Sequence, residues 1–155
     1  MNDFFTVEFL TRLVTSLIGT FGFAVLFRVR ARHLPFASVC GLVTYAIYYT
    51  AVYFGASLFS AAFLCTVFTT AFAEACARWR HAPALVFLVP GTIPIVPGSD
   101  LYNTMRFLLQ GDYALSYVHL RNALLVGIGI AGGIVCVSLL VSAVKKKRVR
   151  LSAVL

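Results

Sequence analysis

Four prolines fall inside an uncharged, largely apolar stretch at residues 82–99 (APALVFLVPGTIPIVPGS), and two of them, Pro90 and Pro97, are followed by Gly91 and Gly98. Each proline removes a backbone donor and disturbs the turn before it. Eighteen such residues are about what one bilayer crossing needs, so the stretch reads as an interrupted membrane helix. The chemistry this offers is ligand holding rather than bond making. In hydrocarbon, irregular backbone is tolerated only where it is buried in protein or lines a watery cavity, and broken helices near mid-membrane are where transporters commonly hold their substrates. Just beyond the break, Ser99 is placed to cap a short helix that runs to about Gln110 and stops at Gly111. Its N-terminus, beside Pro97 and Gly98, favours a carboxylate through free N–H groups and the helix dipole. Asp100 would compete for those donors or hold an ammonium group, and support of the cap is its plainer role. Asn103 and Arg106 fall on a polar face opposite Leu101, Met105 and Leu108, and Arg106 is favoured over Arg121 as the cation that attracts an anion. Glu74, the one acid inside an apolar run, is the proton-coupling candidate. An ion pair with Arg78, one turn later, is its plainer reading.

The remaining reactive residues form no catalytic set. Cys40, Cys65, Cys76 and Cys136 lie in apolar runs without C-x-x-C spacing and read as small buried residues. His33, His81 and His119 are scattered near expected interfaces as loop histidines, without the pairing of a helical zinc motif. There is no P-loop, dinucleotide fingerprint or nucleophile–base pair. The expectation is therefore a chain that is not an enzyme and needs no cofactor or metal.

The elements that position these residues are membrane helices. Of 155 residues, 61% are hydrophobic and 12% charged, against roughly 25% charged in soluble domains. The expected fold class is all-α, a polytopic membrane protein of five spans forming a single integral membrane domain over residues 1–155. The spans are placed at residues 4–27, 34–54, 57–77, 82–99 and 122–144, followed by a basic tail at 145–155. Residues 34–73 carry no charge for twice the length of one crossing, which requires two helices with a turn near Gly55. Glu8 and Arg12 are spaced to pair at the entrance of the first span. The basic clusters at 28–33, 78–81 and 145–150 all fall on the cytoplasmic side if the N-terminus is outside and the C-terminus inside. The net charge of +8 then serves orientation and contact with the anionic bilayer surface, and nucleic acid is not an expected partner because no soluble basic face exists.

Ser57, Ala61, Cys65, Thr69, Ala73 and Ala77 form a small-residue stripe that lets another helix approach closely, and Gly129 with Gly133 repeats the motif in the last span. Internal packing is the favoured use of both, and docking of a second subunit the alternative. Five short spans enclose little room for a solute path, so a partner subunit or a homo-oligomer is expected. Tyr45, Tyr48, Tyr49 and Tyr53 sit where an outer aromatic belt would.

The segments GFAVLFRVRARHLPFASVCGLVTYAIYY, at 22–49, and FLVPGTIPIVPGSDLYNTMRFLLQGDY, at 87–113, resemble the threonine/serine exporter family, in particular its small C-terminal-half subunits. The resemblance spans nearly the whole chain. It implies secondary export of a small carboxylate, threonine or serine or a succinate-like dicarboxylate, across a bacterial cytoplasmic membrane. It also implies a larger membrane subunit of about five spans as partner, the two halves forming an inverted repeat. The alternative is a non-transporting scaffold that stabilises a partner protein, which would have no use for four prolines in one span.

Overall fold

The computed structural model describes the backbone of residues 7–152 and the side chains of residues 7 and 9–144. The expected Glu8–Arg12 pair and the side chains of the basic tail lie outside the described residues. The elements are α1 (Val7–Leu26), a 3-10 turn (Ala31–His33), α2 (Leu34–Tyr53), α3 (Leu58–Arg80), α4 (Leu85–Thr92), a second 3-10 turn (Ile93–Ile95), α5 (Gly98–Leu109) and α6 (Tyr113–Ser152). Four of these helices are long and apolar enough to cross a membrane, and α4 with α5, bent by 48°, makes a fifth if the pair acts as one span. The chain is an all-α polytopic membrane protein.

The ends of the helices follow from local chemistry. Gly55, at φ 82°, turns the chain between α2 and α3, as its sequence position suggests. Ser57 caps α3 by accepting from the Ser60 amide at 3.2 Å. The third helix runs to Arg80 rather than stopping at 77, because His81 supplies the left-handed residue that closes it. Gly111, at φ 79°, ends α5, with the Asp112 amide donating back to the Phe107 carbonyl. The last helix begins at Tyr113 and not near 122. The Asp112 carboxylate accepts from the Leu115 amide at 3.0 Å, and a helix nucleated there runs on through the polar residues that made the boundary look later. At 40 residues it is about 60 Å long, twice the thickness of a hydrocarbon core.

Helices α1, α2 and α3 run antiparallel in turn, α4 lies against α2 and α3, and α6 packs along the other side of α3. The small residues of α3 divide between these neighbours. Ala61, Cys65, Thr69 and Ala73 are fully buried in the first group, where the Thr69 hydroxyl lies 2.6 Å from that of Thr44 on α2. Ala62 and Thr66 receive α6 at Gly129 and Gly133. A Cβ on Gly129 would stand 2.8 Å from the Phe59 carbonyl oxygen, and one on Gly133 2.9 Å from that of Phe63. Both glycines and most of the stripe thus serve packing within the chain.

The register of these contacts fixes chain direction. Gly129 meets Ala62 and Gly133 meets Thr66, so α6 runs parallel to α3. Thr104 meets Ser116 and Asp100 meets His119, so α5 runs antiparallel to α6. Within the bundle, α4 and α5 therefore carry the chain from the arginine-bearing end to the opposite end.

Because backbone atoms limit the approach at both glycines, Gly129→Ala and Gly133→Ala should each destabilise the folded chain by about 1–3 kcal/mol. Gly127, with nothing within 4 Å of a built Cβ, is the matched control. Thermal unfolding in detergent should show lower midpoints for the first two and an unchanged or raised one for Gly127→Ala.

Candidate functional site

The interruption lies one turn later than the first proline and glycine pair suggested. Pro90 sits inside α4 and Gly91 continues it, both buried. Gly91 allows the close approach of this helix: a Cβ there would lie 2.7 Å from the Cys40 sulfur and 3.2 Å from the Thr69 methyl. The pair is therefore packed helix, and the expectation of unwound backbone at Pro90 and Gly91 is corrected. Unwinding begins at Ile93, whose amide donates to the Pro90 carbonyl in a tightened turn. The Thr92 hydroxyl lies within hydrogen-bonding distance of the Val89 carbonyl at 3.0 Å and the Leu88 carbonyl at 3.2 Å, supporting acceptors that the broken ladder serves poorly. Val96 is extended, and the Gly98 amide donates to the Val96 carbonyl at 2.7 Å across Pro97, whose φ of −77° and ψ of 54° make an inverse γ-turn. That turn produces the bend.

The residue ahead of α5 is Pro97, and no side chain caps the helix. Ser99 stands exposed within the first turn, which corrects its expected role as the cap. Gly98 is also exposed, and Asn103 is half-buried. Asp100 is held: its Oδ1 lies 2.8 Å from Nδ1 of His119 on α6. The His119 ring stacks on Phe107 at 5.5 Å between centroids and 10° between planes, and the Ser116 hydroxyl donates to the Thr104 carbonyl at 2.9 Å. His119 is therefore a docking residue and not a loop histidine. Arg106 is exposed, its guanidinium 5.6 Å from the Phe107 ring centre.

Glu74 lies apart on α3, toward the arginine-bearing end, with Oε2 3.6 Å from the Arg78 guanidinium. The structure thus gathers Gly98, Ser99, Asp100, Asn103 and Arg106 on one helix, places Pro90 and Gly91 on the helix before it, and leaves Glu74 on a third. Two polar features escaped the sequence reading. One is His119, which faces Asp100 because the two stand at comparable distances on either side of the Gly111 turn. The other is the buried Thr44–Thr69 pair beneath Gly91, each hydroxyl also 2.7 Å from the carbonyl four residues earlier.

The family model for the threonine/serine exporter, ThrE, matches residues 12–140. The chain belongs to the threonine/serine exporter family. That match takes in α2 to α5 whole and most of α1 and α6, including the bent α4–α5 pair and its dock on α6. No solved structure matches the chain. In this exporter-family protein α5 packs along α6, and the Asp100–His119 bond is the shortest side-chain hydrogen bond between them.

His119→Ala removes both that bond and the ring under Phe107. It should loosen α5 by about 1–2 kcal/mol, seen as roughly tenfold faster amide exchange over residues 98–109 with α4 unchanged. Equal acceleration in both helices would show that the bond does not govern docking locally.

Proposed function

We propose that the chain is one half of a two-chain secondary exporter of small carboxylates, threonine and serine or a succinate-like dicarboxylate. A larger membrane subunit of the same family supplies the other half. The observation that carries this reading is the interrupted α4–α5 pair in a member of an exporter family. A helix–γ-turn–helix in the middle of a bundle leaves main-chain groups that a continuous span would have consumed. The first turn of α5, at Gly98 and Ser99, meets the solute's carboxylate. With Asp100 turned to His119, its negative charge is partly matched and competes less for those amides. Arg106 draws anions toward the same helix. Glu74, paired with Arg78 on α3, is the proton-coupling group. The chain transports and does not catalyse, with energy from an ion or substrate gradient.

The bacterial cytoplasmic membrane is the setting, with the N-terminus outside and the C-terminus inside. Support comes from the three basic clusters: α3 and α6 run parallel, so the 145–150 run falls at the same end as Arg78 and Arg80, and the 28–32 loop joins them there. The partner fits the surface left over. Leu101, Met105, Leu108 and Leu109 on α5 are all exposed, as are Leu115 and Leu124 on α6.

The deciding measurement is efflux of preloaded threonine, serine and succinate from cells carrying this chain alone or with the larger subunit. Faster efflux only with both chains is expected, and none with both proteins present in the membrane would overturn the reading. Within the pair, Pro97→Ala should slow efflux at least about tenfold, equivalent to roughly 1.4 kcal/mol in a barrier, without loss of insertion. Pro90→Ala, inside continuous helix, should slow it less.

A further inference from the structure

At the arginine-bearing end a cavity of about 590 Å³ opens between the loop after α1, the turn after α3 and the start of α4. One side of it is basic: Arg28, Arg30, Arg32, His33 and His81 all contribute. The described carboxylates are engaged elsewhere, Glu74 with Arg78, Asp100 with His119 and Asp112 at the start of α6. Arg80 adds a further charge nearby, donating to the Arg32 carbonyl at 3.0 Å and lying 4.8 Å from the Phe36 ring centre. The arginine side chains at 28, 30 and 32 are exposed, so the charge stands in reach of a ligand.

His33 is the exception, at 3% exposure, and it was expected as a loop histidine. Its ring meets the Phe87 edge at 5.5 Å. The Arg32 Nε donates to its Nε2 at 3.1 Å, which requires a lone pair on Nε2 and places the ring hydrogen on Nδ1. That Nδ1 is buried and has no hydrogen-bond partner among the described residues. This leaves a buried donor without an acceptor in a residue that also lines the basic cavity. Arg28 and His81, the left-handed residues that close α1 and α3, both line the cavity.

The other side of the cavity is apolar. Phe27, Leu85, Val86 and Val89 form it, and Leu85 and Val89 continue onto the outer surface of α4. A small dicarboxylate has nothing to place there, whereas a phospholipid has a phosphate for the basic side and an acyl chain for α4. We propose that this cavity is a binding site for an anionic phospholipid. Its phosphate sits among Arg28, Arg30, Arg32 and His33, with one acyl chain along Leu85 and Val89. The inference is independent of the export reading, since it concerns the opposite end of α4 from the break.

The test uses the intact purified chain, delipidated in detergent and titrated by native mass spectrometry with phosphatidylglycerol or phosphatidylcholine of the same chain length. Phosphatidylglycerol should bind at least about tenfold more tightly, and Arg28→Gln with Arg30→Gln should abolish the preference. Lys145→Gln with Lys146→Gln removes the same charge from the tail and should leave the preference in place. Equal binding of the two lipids, or equal loss in the tail variant, would overturn the proposal. Displacement of phosphatidylglycerol by millimolar sodium phosphate or succinate would overturn the lipid source in favour of a free oxyanion. Should the arginine variant fail to fold, phosphatidylglycerol with a photoreactive acyl chain on the unaltered protein decides the matter. Labelling within residues 85–89 supports the site, and labelling confined to other helices refutes it.

Discussion

A helix that loses N–H groups to Pro90, Pro94 and Pro97 cannot lie against hydrocarbon along its whole length, because each carbonyl left without a donor is costly where no water can replace it. As far as Gly91 this chain meets that constraint by burial. Phe87, Leu88, Pro90 and Gly91 are all buried, and Phe87 and Leu88 pack on Ala73 and Cys76. The small residues along one side of α3 are therefore more than a helix-packing motif: they make room for the one helix that needs cover. The same logic explains Gly91. With a side chain there, α4 would stand off from Cys40 and Thr69 and lose the shelter that the break requires.

Close approach brings hydroxyls into the interior. Thr20, Thr44, Thr66, Thr69 and Thr70 are all buried, each donating or positioned to donate to the carbonyl four residues back. This lets a polar residue sit in an apolar bundle without an orphaned donor. Thr44 and Thr69 are different. Their two hydroxyl protons face three contacts, two to carbonyls and one between the hydroxyls, so only two can be hydrogen bonds at once. In either direction the hydroxyl–hydroxyl bond joins α2 to α3 directly beneath Gly91.

What could be read from the sequence was whatever charge and helix breakers punctuate. Gly55 and Gly111 marked true turns because the left-handed conformation they supply is needed there, and the uncharged length of residues 34–73 demanded two helices. The Glu74–Arg78 pair followed from spacing alone. Other features needed three dimensions. The start of α6 was hidden because His119 and Arg121 look like the edge of a membrane span, and only the fold shows that α5 covers this stretch. Ser99 had the chemistry of a cap, but the γ-turn at Pro97 starts the helix two residues too soon for it. His33 looked like part of a solvated basic loop. It is buried because the 3-10 turn at Ala31–His33 folds it onto Phe87, a residue far along the chain.

The two ends of the broken pair are held by different means, and this bears on how it can move. α4 is clamped by close packing, with fully buried groups that allow no displacement without opening a void. α5 is held by three polar or aromatic contacts to α6 and has no buried residue of its own. The γ-turn between them involves few main-chain bonds, so rotation about it would disturb little besides the α5–α6 contacts. If the pair moves during a cycle, α5 is the part that swings and α4 the part that stays. A hinge at Val96 and Pro97 would then shift the exposed first turn of α5 while leaving Gly91 seated on Thr69. The bend and its asymmetric anchoring belong together: the helix before the break is seated on α2 and α3, and the helix after it is seated on α6 alone among the long helices it packs against.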